Sequence, residues 1–214
     1  RIKEVWAQTN FLIAVHQPDP TKSRTQYMDL LELSVKEDPN CPRNAFYYAR
    51  ELSFNSRWQE SIEACKRYLK LPNATWQNER CYAYRVMGRC YSELGNALEA
   101  EKAFQMAASE APETREPWCE LALLCYSHAR WEECFAYAMR ALRITNRENV
   151  YTCDPSVWGA KIHDLVAVSA WHLKLRDIAS QHGTSAFELE PDNQRLKNNL
   201  FWYLKKTKSR KEAA

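Results

Sequence analysis

The stretch Val86-Met-Gly-Arg-Cys-Tyr-Ser-Glu-Leu-Gly-Asn-Ala-Leu-Glu-Ala-Glu-Lys-Ala-Phe-Gln-Met-Ala-Ala-Ser-Glu-Ala-Pro112 spends two of the chain's four glycines within eight residues. Gly88, Tyr91, Gly95, Ala100, Phe104, Ala107 and Pro112 recur at helical spacing. Small residues at Gly88 and Ala100 let two helices cross closely, and Tyr91 and Phe104 fill the space on either side. Gly95 suits the left-handed residue that closes a helix. Pro112 ends the second helix, because proline donates no amide to another turn.

With Gly88 as position 8 of a unit, the others fall at 11, 15, 20, 24, 27 and 32. That is the pattern of a tetratricopeptide repeat, a helix–turn–helix of about 34 residues. Trp118, Leu121, Ala122, Cys125, Cys134, Ala138 and Ala141 repeat it downstream at positions 4, 7, 8, 11, 20, 24 and 27. Upstream, Ala49 takes position 8, with Leu52, Ser61, Cys65 and Pro72 following. A degenerate fourth unit holds Ala167, Ala170, Ala179, Ala186 and Pro191. Position 8 thus steps from Ala49 to Gly88, Ala122 and Ala167. The first long step makes room for LPNATWQNE and the last for NRENVYTCDPSVW. The B helix of a partial unit ends at Pro39, and residues 194–205 form an amphipathic cap. Such hairpins cannot bury their faces alone, so they stack. The expectation is an all-α, right-handed solenoid over residues 23–206, with a basic tail at 207–214 and one short strand at 10–16, NFLIAVH.

Composition agrees. Hydrophobic residues reach 45% and aromatic residues 12% of 214. Scarce glycine argues against a Rossmann-type sheet, and no apolar run approaches the roughly 20 residues that span a bilayer. The net charge of +3 is concentrated in residues 205–214, which sum to +4 and leave −1 for the rest. A nucleic-acid face is therefore not expected. Eight cysteines without a C-x-x-C pair read as reduced, small core residues rather than a zinc site or a disulfide frame. The reading expects a cytoplasmic chain, so the sequon at Asn73 stays idle.

Solenoids bind along the face lined by the A helices. Positions 2, 5, 9, 12 and 13 place Arg43, Phe46, Arg50, Tyr82, Arg85, Arg89, Tyr126, Trp171 and His172 there. Arginine forks suit carboxylate or phosphate, which points to an acidic peptide or an anionic glycan. The competing reading pairs these arginines with Glu51, Glu79 and Glu93. Trp58 and Trp131 open B helices and read as packing. No catalytic set stands out. His163 and Asp164 are expected near a helix start, where Asp favours the dipole.

Several stretches go beyond the repeat: HQPDPTKSRTQYMDLLEL (16–33), EDPNCPRNAFYYAREL (37–52), RYLKLPNATWQNERCYAYR (67–85), EAPETREPWCELALLCY (110–126) and VYTCDPSVWGAKIHDLVAVSAWHL (150–173). Together they resemble the C-terminal repeat region of bacterial or phage family 2-type glycosyltransferases. The resemblance implies an upstream transferase domain with an Asp-x-Asp metal motif, absent here, that would use a nucleotide-sugar and a divalent metal. It makes residues 1–22 the remnant of that domain's end. RIKEVW matches its closing motif except that Lys3 stands where the family has histidine, and His16 matches a family histidine, the one metal candidate. On this reading the chain has no cofactor of its own. It is a non-catalytic module that positions an acceptor, a partner or a second copy beside the transfer site. The alternatives are a free-standing protein–protein interaction scaffold and residual metal-dependent transfer by residues 1–22.

Overall fold

The computed structural model describes residues 27–211, with the side chains of residues 27–205. His16, residues 1–22 and the NFLIAVH stretch lie outside the described residues. Among those described, the chain is all α-helical, with ten α-helices and no strand. They are α1 (Met28–Glu37), α2 (Pro42–Phe54), α3 (Trp58–Leu69), α4 (Gln77–Glu93), α5 (Ala97–Glu110), α6 (Arg115–Ser127), α7 (Trp131–Arg143), α8 (Ala160–His172), α9 (Arg176–Leu189) and α10 (Gln194–Lys211). The last runs past Lys205, where the sequence reading ends the cap, into the stretch it gives as a basic tail.

Four hairpins, α2–α3, α4–α5, α6–α7 and α8–α9, share one closure. In the opening stretch, Gly95 adopts φ 74°, its amide bonds to Ser92 O at 3.0 Å, and the Asn96 amide reaches back to Tyr91 O at 2.8 Å. This is the Schellman arrangement that satisfies the orphan carbonyls of a helix end. Ser56, Ala129 and Lys174 occupy the equivalent position with φ of 57°, 55° and 64°. The amides of Arg57, Arg130 and Leu175 reach back to Leu52, Cys125 and Ala170 at 2.9–3.0 Å. Three units therefore hold a left-handed turn without glycine. Asn96 then caps α5 through its side chain, which accepts from the Glu99 amide.

Inside each hairpin the crossing is made by small buried residues: Ala49 with Ser61, Gly88 with Ala100, Ala122 with Cys134, and Ala167 with Ala179. The Ser61 hydroxyl donates to Ala49 O across the crossing at 2.8 Å. Gly88 is small for a further reason. A Cβ there would run first into the ring of buried Phe104. Gly183 plays the same part beneath Tyr203 of α10. All eight cysteines are free, six of them buried. Burial pushes the thiols of Cys81 and Cys134 up to about 11 and those of Cys119 and Cys125 up to about 12. They are inert core groups.

Two layers result. The A helices α2, α4, α6 and α8 touch one another directly from unit to unit, and no comparable contact joins successive B helices. The A layer is the inner one, and it carries the candidate face.

Candidate functional site

The inner face is divided. Its first half, over α2 and α4, is filled by the chain itself. Residues 145–159, between α7 and α8, fold back across α6 and α4 to α2 as a strap.

Tyr151 is the tip of this strap. Its ring lies 5.4 Å from Trp76, 6.3 Å from Phe46 and 6.4 Å from Tyr47 by centroids, the last at 21°. Its hydroxyl donates a short hydrogen bond to Glu79, and burial with that carboxylate pushes the phenol up. Thr152 O accepts from Arg85 Nη1 at 3.4 Å. The Asp154 amide donates to Glu116 Oε1 at 2.9 Å, and its carboxylate faces Arg89 at 4.0 Å. Glu148 accepts from Asn78 at 2.6 Å. At its C-terminal end, a 3₁₀ turn, Pro155–Trp158, is opened by the Asp154 side chain accepting from the Ser156 amide. Val157 is buried in the core, and the Arg115 guanidinium stacks on Trp158 at 3.9 Å.

The sequence-predicted residues meet this strap unequally. Phe46, Arg85 and Arg89 touch it, and Tyr82 packs against Phe46 and under Arg85. Arg85 and Arg89 do pair within the chain, but with Glu120 of the next unit rather than with Glu51, Glu79 or Glu93. The Arg85 guanidinium lies 3.6 Å from Glu120, and Arg89 donates to it from Nε at 2.7 Å and also from Nη2. Arg50 stacks on Tyr47 at 4.7 Å, with its Nε buried and unpartnered. Arg43 is exposed at the rim. Tyr47, Trp76, Glu120 and Tyr151 escaped sequence reasoning. The one signal was the long step from Ala122 to Ala167, which announces extra residues but not where they go.

The second half of the face is open. A cleft of ≈ 300 Å³ lies between Arg89, Glu93, Leu123 and Ser127. A second, of ≈ 410 Å³, is lined by Leu123, Tyr126, Lys161, Asp164, Arg195 and Leu196 among others. Asp164 pairs with Arg195 of α10 at 2.8 Å, so its partner is an arginine, not a helix end. His172 stacks flat on Trp131, 3.8 Å apart at 2°, and Tyr126 meets Trp131 edge-on. Trp171 turns away into the joint with α10, between Tyr203 at 5.2 Å and Arg176 at 3.7 Å. Tyr126 therefore lines the second cleft, His172 lies on Trp131 outside both cleft linings, and Trp171 belongs to the packing with α10.

Among the described residues no cluster of three or more His, Cys, Asp or Glu could hold a metal ion, and no helix is long and apolar enough to cross a membrane.

Fold and face together define a tetratricopeptide-like helical-repeat solenoid. YrrB, a TPR protein with an unusual peptide-binding site, is similar, with a TM-score of 0.65 at 14% identity over 86% of each chain. MamA gives 0.63 at 17% identity, over 80% of this chain and 91% of that one. PilF of Pseudomonas aeruginosa gives 0.62 at 15% identity, over 79% of this chain and 70% of that one. At these identities the likeness shows the fold alone. No family model and no curated protein matches the chain. The resemblance to glycosyltransferases thus gains no support from the comparisons.

Proposed function

We propose that the chain is a protein-interaction scaffold that receives a segment of a partner protein along the open half of its A-helix face. The observation that carries this is the pair of adjoining clefts on either side of Leu123, with exposed Tyr126 and Lys161 at their edge. Together they have the size and mixed polarity of a peptide groove. A protein segment is favoured over an anionic glycan, because the arginines that suited a glycan, Arg85 and Arg89, already face Glu120. The free-standing scaffold fits the comparisons better than a module of a glycosyltransferase. The latter, with its nucleotide-sugar and divalent metal, rests on the quoted sequence stretches alone, and an upstream Asp-x-Asp domain in the reading frame is its test.

Peptides selected from a display library against the intact chain test the main reading. The double variant Tyr126→Ala/Lys161→Glu should weaken the selected peptides at least about tenfold, since it removes an aromatic anchor and reverses a charge on the same cleft. Gln105→Ala, on the exposed surface of α5, should not. Equal effects of both changes, or none, would contradict it.

A further inference from the structure

The strap has the marks of an occupant rather than of a core element. Residues 145–149 are exposed, and Tyr151 keeps 48% of its surface in solvent although four groups gather round it. Between Tyr151 and the 3₁₀ turn, only Thr152 is buried. A cavity of ≈ 20 Å³ remains between Cys81 and Arg85 on one side and Val150, Thr152 and Cys153 on the other.

The polar contacts are loose as well. Arg85 is 3% exposed, yet its hydrogen bond to Thr152 O is 3.4 Å long, its distance to Glu120 is 3.6 Å, and its Nε has no partner. Asp154 stops 4.0 Å from Arg89. A buried guanidinium is costly unless its donors are well satisfied, and good charge-assisted bonds run about 2.7–2.9 Å. Arg89 is already held by Glu120, so Arg85 is the guanidinium beneath the strap whose donors a ligand carboxylate would satisfy better than the strap does. The groove beneath the strap also offers an aromatic berth, formed by Phe46, Tyr47 and Trp76, with a carboxylate acceptor at Glu79 for a phenol.

We propose that residues 146–154 are a tethered occupant of a second peptide groove, whose external ligand is an extended protein segment carrying an aromatic ring about three residues before a carboxylate. The strap's own Tyr151 and Asp154 show the chemistry. The ring enters the Phe46–Tyr47–Trp76 berth, and the carboxylate goes to Arg85, beside the Arg89–Glu120 pair. The proposal rests on the scaffold reading but concerns a different part of the face, and the strap sets the threshold for entry. A tethered competitor acts at an effective concentration that reaches millimolar for short flexible linkers, so it masks a weaker ligand until that ligand is concentrated or multivalent.

The test uses a fluorescent synthetic peptide with the sequence of residues 146–156 and two chains. One is intact. In the other, residues 146–154 are replaced by a Gly-Ser segment of equal length, which keeps Val157 and Trp158 in place. The replaced chain should stay helical and bind the peptide at least about tenfold more tightly than the intact chain does. A peptide with Tyr151→Ala or Asp154→Asn should lose that binding. The intact chain with Tyr151→Ala/Asp154→Ala, where the strap remains covalently present, should also gain affinity.

A folded replaced chain that ignores the peptide would overturn the proposal. So would equal binding by intact and replaced chains. Unfolding of the replaced chain, with no gain in the double variant, would make the strap a structural plug. Concentration-dependent dimerisation of the intact chain, abolished by the replacement, would assign the groove to a second copy's strap instead. Failure here with success of the Tyr126→Ala/Lys161→Glu test leaves the scaffold reading standing.

Discussion

His163 and His182 meet ring to ring, Nδ1 to Nδ1 at 3.0 Å, across the α8–α9 hairpin. One imidazole donates and the other accepts, so the accepting ring must be neutral and the pair cannot be doubly protonated without losing the bond. Burial lowers the pKa of each, and His163 is further lowered by His182 and Arg115. The unfolded chain, with ordinary histidines near 6.5, therefore takes up protons first as pH falls. The stability these groups contribute is complete above about pH 6.5 and is lost progressively below it. Thermal melts at pH 7.5 and 5.5 should show a larger drop for the parent than for His182→Gln, and parallel drops would refute the linkage. At Ala129, left-handed backbone costs an alanine roughly 1–2 kcal/mol, against a smaller entropic cost for glycine. Ala129→Gly should stabilise by about 0.5–1 kcal/mol in denaturant titration, and a loss would mean that the turn carries no strain. Gly88→Ala should cost about 1–3 kcal/mol through overlap with Phe104. Phe104→Leu in the same chain should recover part of that, and strict additivity of the two losses would contradict the contact.

At the scale of elements, the register of the hairpins was legible because position 8, position 20 and the left-handed turn are local demands of a close crossing. Gly88 and Ala100 meet the crossing with small groups, and Ala49, Ala122 and Ala167 repeat the first of them; Gly95 takes the left-handed turn without the strain that Ser56, Ala129 and Lys174 bear in the other units. What the pattern did not reveal is tertiary. Gly88 gives way to a ring two turns along the partner helix, and Gly183 gives way to Tyr203 from the capping helix α10. Gly183→Leu should therefore detach α10 without melting α2–α7. In hydrogen exchange, protection should fall in α9 and α10 and persist in α4–α5, and uniform loss would mean that the stack melts as one unit. Nearest-neighbour coupling in repeat stacks is the reason for that expectation. The strap was the least legible element. Its residues obey no period, and their place depends on partners 70 or so positions away, as with Tyr151 and Glu79.

The whole molecule is a helical-repeat stack with one inner face in two states of occupancy. The sequence reading spread candidate binding residues along both halves, with the arginines in the first and Tyr126, Trp171 and His172 in the second. Folding instead turns those arginines onto Glu120 and the strap, and leaves the clefts around Leu123 open. The most direct test is hydrogen-exchange mass spectrometry of the intact chain with and without a display-selected peptide. Bound peptide should slow exchange in α6 and α8, at residues 119–127 and 160–172, and leave the B helix α7, residues 131–143, unchanged. Protection confined to α7 and the other B helices, or none on the A layer, would contradict the assignment of the inner face as the binding surface.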